Sequence, residues 1–152
     1  MRRCMRTLPL AMAIGLVGGG TAHAGGLTAS VDAGPLFLEQ DGFDIGVRGG
    51  WTFEIGNFHL TPEIGERILT TQEVEPFIGS FVGVRLSHGH TFSPGVYGQF
   101  VGWTSDGSTS ATGGATFDIR ALPKLVIGVH GGYTTHLFGD FITVGGHAGF
   151  QM

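Results

Sequence analysis

From about residue 27 to residue 151 the chain alternates apolar and polar side chains with a period of two, broken by turn residues about every sixteen positions. A period of two is the signature of β-strands, in which successive side chains point to opposite faces. Eight strands follow from it, near Leu27–Leu38, Phe43–Ile55, Phe58–Leu69, Pro76–Ser87, Phe92–Thr104, Thr109–Ala121, Lys124–Leu137 and Phe141–Gln151. The expected connections are Gln40-Asp41-Gly42, Gly56-Asn57, Thr70 to Glu75, Gly89, Ser105-Asp106-Gly107, Leu122-Pro123 and Gly139-Asp140. Gly56-Asn57 reads as a two-residue hairpin turn of the primed type. The 29 glycines work against helix at about 1 kcal/mol each. An unbroken meander of eight strands uses up the chain and leaves no linker or second domain.

The two faces of these strands differ chemically. In the second strand Phe43, Ile45, Val47, Trp51, Phe53 and Ile55 oppose Asp44, Arg48, Thr52 and Glu54. In the third, Leu60, Pro62, Ile64 and Ile68 oppose His59, Thr61, Glu63 and Arg67. In the fourth, Arg85 falls opposite Val82, Val84 and Leu86. The sixth sets Ala115, Phe117 and Ile119 against Thr116, Asp118 and Arg120. The seventh and eighth place His130, Thr134, His136, Thr143 and His147 opposite Ile127, Val129, Val144 and Phe150. The fifth carries apolar residues on both parities: Tyr97, Val101 and Trp103 on one, Val96 and Phe100 on the other. Glu66 is a lone charge on an apolar face.

Only 13% of residues are charged, against about 25% in an average soluble domain, so a Lys/Glu-rich water-facing coat is excluded. The 12 phenylalanines exclude a disordered chain, and the lack of a basic patch disfavours nucleic acid. Residues 1–24 read as a secretory signal peptide: Arg2, Arg3 and Arg6, then the apolar run Leu8–Val17, then Ala22-His23-Ala24 as a cleavage site. Cys4 leaves with it, and the remaining domain, 25–152, has neither disulfide nor thiol chemistry.

Two eight-stranded architectures produce such alternation. A soluble lipocalin-like periplasmic barrel turns its apolar face inward, whereas a membrane barrel turns it to lipid and its polar face to the lumen. The polar face here is glycine, threonine and opposed Arg and Asp/Glu, the composition of a packed lumen. Strands of 11–14 residues exceed the 9–11 that a tilted transmembrane strand needs. Aromatic residues gather near strand ends (Phe37, Phe43, Phe53, Phe58 and Phe150), as interfacial girdles require. The expected fold is an all-β, eight-stranded, antiparallel, up-and-down transmembrane β-barrel behind a cleaved signal peptide.

On these features the chain resembles the small eight-stranded outer-membrane barrels, the OmpA-type transmembrane domain and its stand-alone relatives. Such barrels close with a strand read by the barrel assembly machinery, and Thr143, Gly145, Ala148 and Phe150 fit that spacing. The Gln151-Met152 tail departs from the usual terminal aromatic. The resemblance implies a Gram-negative outer membrane, contact with its lipid and lipopolysaccharide, no cofactor, and a structural or surface-interaction role. A narrow passive pore is the alternative, and a lipid-modifying barrel enzyme a further one. Lipid A deacylases and outer-membrane phospholipases are barrels with serine–histidine–acid triads, but Thr134-Thr135-His136 offers no serine beside its histidine, so no catalytic residue is assigned. His88-Gly89-His90 lacks a third ligand, so no metal site is assigned either.

With an even strand count both termini share one end, the periplasmic one. Asp41, Glu73, Glu75, Asp106 and Asp140 then rim the outer end, where acids solvate loop tips or bind divalent cations. By parity the lumen receives Asp32, Asp44, Glu54, Glu63 and Asp118 with Arg48, Arg67, Arg85 and Arg120. These nearly balance, as a shielded interior demands, and predict a plugged barrel.

Overall fold

The structure, a computed structural model, describes residues 22–38, 42–71, 76–136 and 139–152. The signal-peptide run up to residue 21 and the connection residues Gln40, Asp41, Glu73, Glu75 and Leu137 lie outside them. Eight antiparallel strands form a closed barrel in chain order: β1 (Ala22–Leu38), β2 (Gly42–Ile55), β3 (Phe58–Thr71), β4 (Phe77–His88), β5 (Phe92–Trp103), β6 (Thr109–Leu122), β7 (Leu125–Thr135) and β8 (Phe141–Gln151). β1 closes the ring on β8 with Val31 opposite Ala148 and Asp32 opposite His147. Closure pairs both edges of the sheet, so none of these eight strands is left at an open edge.

The strands run further than the alternation implies. Gly42, Thr70, Thr71 and Leu122, expected in connections, sit in strands because each still pairs across its hairpin: Gly42 with Thr71, Phe43 with Thr70, Leu122 with Leu125. Pro76, Thr104, Lys124 and His136, by contrast, expected in strands, lie outside them. β1 begins at Ala22, so Ala22-His23-Ala24 pairs with Ile55, Glu54 and Phe53, ahead of a register shift between Ala24 and Gly26. Gly56 at φ +61° opens the β2–β3 turn, a conformation that a primed turn requires and a side chain resists.

The start of β1 and the end of β8 lie with the turns at 56–57, 89–91 and 123–124, here called the terminal end. Residues 104–108, 136, 139 and 140 lie at the opposite, far end. The barrel is inside-out relative to a soluble protein. Glu63, Asp44 and Arg67 are 3–4% exposed on the inner face, while Ile64, Val82 and Val129 are 59–67% exposed on the outer one. The girdle aromatics Phe37, Phe43, Phe53, Phe58 and Phe150 all face outward. A lipocalin-like barrel buries the opposite set, so that alternative is overturned.

β5 takes the parity the alternation left open, turning Ser93, Tyr97, Val101 and Trp103 inward and Val96 and Phe100 outward. The inner space is narrow enough that one neighbour decides the residue at some positions. A Cβ at Gly65 would stand 2.1 Å from the Val47 carbonyl oxygen and 2.7 Å from the Phe81 ring. Gly65 is thus the space into which Phe81 turns.

Candidate functional site: the filled lumen

Inward-facing side chains divide the lumen into three zones along its axis. The middle zone holds a chain of alternating charges. Asp32 Oδ1 lies 3.2 Å from Arg48 Nη2, and Arg48 Nη1 lies 3.6 Å from Glu63 Oε2. Glu63 Oε1 accepts from Arg85 Nη2, and Arg85 Nη1 donates to Asp118 Oδ2 at 3.2 Å. Asp118 Oδ1 in turn accepts from Thr116 Oγ1 at 2.6 Å and meets His147 Nε2 at 2.8 Å. Six side chains from β1, β2, β3, β4, β6 and β8 are joined across the barrel, so the chain ties strands that are not neighbours.

A second pair lies towards the far end. Arg67 Nε donates to Asp44 Oδ1 at 2.9 Å and Nη2 to Asp44 Oδ2 at 2.6 Å, the two-pronged geometry that a guanidinium fork gives with a carboxylate. Arg67 Nη1 reaches Thr112 Oγ1 at 3.2 Å, and Thr112 bonds Thr134 at 2.7 Å. The guanidinium carbon sits 5.8 Å from the centre of the Phe141 ring, a cation–π contact. Phe141 belongs to the far zone, an apolar cluster of Leu36, Leu69, Phe81, Val101, Trp103 and Phe141 with Phe77 packed against it. Trp103 Nε1 donates to Ser110 Oγ at 3.0 Å, which satisfies the polar handle of a ring otherwise 2% exposed.

The zone at the terminal end is polar and open. A cavity of about 50 Å³ is lined by Thr52, His59, Thr61, Arg85, Ser87, Ser93, Asp118 and Arg120, among others. A further void among Asp32, Asp44, Arg48, Arg67, Tyr97 and His130 measures about 10 Å³, about the space one water needs.

Of the nine charges assigned to the lumen by parity, seven meet in these networks: Asp32, Asp44, Arg48, Glu63, Arg67, Arg85 and Asp118. Arg120 and Glu54 do not. Among the described residues Arg120 has no carboxylate within ion-pair distance, and Glu54 approaches only His59, at 3.9 Å, both near the terminal mouth. Removing Arg120 therefore strands no buried carboxylate among the described residues, whereas Arg48 lies against both Asp32 and Glu63. Of the assembly-signal residues, Thr143 is buried on the inner face while Ala148 and Phe150 face outward. Glu66 faces outward and accepts from Ser80 Oγ at 2.8 Å. Among the described residues no group of three metal-ligating side chains is placed to hold an ion.

Two features escaped the reading of the sequence. The apolar plug was legible in part, since Leu36 and Leu69 share parity with Asp32 and Arg67. The contact between Ser108 Oγ and His136 Nε2, 3.0 Å long across 28 residues, had no sequence signal.

No protein-family model matches the chain, and no curated protein matches it in sequence. Solved structures do. Neisserial surface protein A (NspA) aligns with a TM-score of 0.59 at 10% identity, over 86% of this chain and 99% of its own. A chain from the de novo design of transmembrane β-barrels aligns at 0.56 and 21% identity, over 84% and 97%. The designed barrel TMB2.3 aligns at 0.56 and 17%, over 85% and 95%. The chain thus has the eight-stranded closed-barrel fold of transmembrane β-barrels.

Proposed function

We propose that this protein is an integral outer-membrane barrel, exported by a cleaved signal peptide, whose filled lumen closes it to solutes and whose role is structural or one of surface interaction. The observation that carries this is the inverted burial: paired Arg, Asp and Glu inside, a continuous belt of Val, Ile, Leu and Phe outside. An outward apolar surface of that extent has no stable home in water, whereas hydrocarbon matches it. The likeness in fold to a neisserial surface protein supports the placement. In this reading the terminal end faces the periplasm and the far end the cell surface, the barrel assembly machinery inserts the chain, and its neighbours are outer-membrane lipid and lipopolysaccharide.

The lumen is closed by two different means, the charge chain and the apolar plug. The 50 Å³ cavity at the terminal end favours a narrow pore, but it ends at Arg85, Asp118 and His147 of the charge chain, and the apolar plug lines no part of it. Refolded protein tests the reading on two counts. On a gel it should migrate differently before and after boiling, and it should resist extraction from outer membranes with salt. In a planar bilayer it should remain silent. Full solubility without a heat shift refutes the membrane barrel, and steady single-channel openings refute the plug.

A further inference from the structure

The far end carries a serine and a histidine in the relation that nucleophilic catalysis uses. Ser108 precedes β6 and His136 follows β7, and the barrel brings Ser108 Oγ to 3.0 Å from His136 Nε2. That is within the 2.6–3.2 Å expected between a nucleophile and its general base. Both residues are half-buried at the rim. The serine is held firmly: Trp103 N–H donates to Ser108 O at 2.8 Å, and Asp106 Oδ1 accepts from the Ser108 N–H at 2.9 Å and from Oγ at 2.7 Å. The histidine is held too, its ring edge-on to Trp103 and Phe77 at centroid distances of 5.8 and 6.4 Å, its backbone N–H 3.4 Å from Asp140 Oδ1. Thr104, in the same turn as Ser108, bonds the Ile78 carbonyl with both its N–H and its hydroxyl at 2.8 Å, so the turn is tied to the end of β4 at a residue whose side chain is exposed in the outward belt.

We propose that Ser108 and His136 form a nucleophile–base pair that hydrolyses acyl esters of membrane amphiphiles at the outer rim. The pair's chemistry stands on its own geometry, while the lipid substrate rests on the membrane reading above. Ser108 Oγ attacks the ester carbonyl carbon and forms a C–O bond, and its proton passes to His136 Nε2. The intermediate collapses as the bond to the alkoxy oxygen breaks, and the imidazolium returns that proton to the departing alcohol. Water then attacks the acyl-serine with His136 again as base, releasing the fatty acid and restoring the serine. The Ser108 hydroxyl has two acceptors in reach, Asp106 and His136; attack uses the orientation towards His136, while Asp106 keeps the Ser108 N–H and favours the nearby imidazolium.

The full chain, refolded into vesicles, is treated with a fluorophosphonate probe, and the labelled peptide is located by mass spectrometry. Label on Ser108 supports the proposal; no label there overturns it, and this arm needs no variant to fold. Hydrolysis of a p-nitrophenyl acyl ester should fall at least about 100-fold in kcat/KM in Ser108→Ala and in His136→Gln, each checked for the folded heat shift on a gel. The unmodified protein should show a pH-rate limb in the imidazole range that His136→Gln abolishes. Equal rates in the unmodified and Ser108→Ala proteins refute the pair, because a merely structural clasp alters stability and leaves no such limb. Fatty-acid release from glycerophospholipid vesicles or from lipopolysaccharide-containing vesicles identifies the source of the ester; release from neither overturns the lipid substrate. Loss of the heat shift with ester cleavage retained is the failure of the membrane reading alone.

Discussion

The middle and the far end of the lumen are filled from the same inward parity but by opposite chemistry. The charge chain from Asp32 to His147 is directional: each link depends on a donor meeting an acceptor at a set angle, and removing one partner leaves the other buried and unpaired. The plug of Leu36, Leu69, Phe81, Val101, Trp103 and Phe141 is non-directional, and its contribution scales with area and with how completely the space is filled. A closed barrel needs both. Packing at the far end buries apolar side chains against one another, while ion pairs in the middle fix which strand residues face one another, since a register slip of one residue turns every charge outward.

Breaking the charge chain at its centre should give the largest effect. Arg85→Leu leaves buried Glu63 with Arg48 alone and Asp118 with only His147 and Thr116, and is expected to cost about 3–5 kcal/mol in urea unfolding from vesicles. Trp103→Ala should cost about 3 kcal/mol, at the lower end for a large aromatic truncation, because the site adjoins the rim where water can fill it. The contrast sharpens when both members of an ion pair are replaced. Asp44→Leu with Arg67→Met should fall within about 1 kcal/mol of the parent, since two apolar groups of similar volume leave no orphaned charge, whereas Arg67→Met alone should cost several kcal/mol. Arg120→Gln should cost less than about 1 kcal/mol in the same assay, because no carboxylate among the described residues pairs with it.

The smallest effect lies outside the barrel wall. The Ser108 N–H and hydroxyl, both donating to Asp106, hold its carboxyl below the usual carboxylate range. A group depressed on folding lends its stability above its unfolded value and loses it as pH falls through the lower folded one. The protection of the Ser108 amide, its exchange relative to an unstructured amide at the same pH, should therefore hold at neutral pH and be lost only below 3.8. In Asp106→Ala that step should be absent.

Alternation by itself determined the strand count, the meander and the face of each charged residue, because a strand's period of two is local and leaves a side chain only two choices. It therefore put Arg48, Arg67, Arg85 and Asp118 inside without knowledge of any neighbour. It did not settle β5, whose apolar residues occupy both parities; there the decision came from packing, with Val101 and Trp103 needed for the plug and Val96 and Phe100 for the outer belt. Nor could it choose partners. Arg67 finds Asp44 across 23 residues, Arg85 finds Asp118 across 33 and Ser108 finds His136 across 28. Those meetings depend on how the strands tilt and stagger when the sheet closes, and Arg120, identical in parity to Asp118 two residues earlier, has no ion pair among the described residues because closure places it at the mouth, where none of their acids comes within reach. Parity is a property of one strand, whereas partnership is a property of the closed ring, and only the tertiary structure has one.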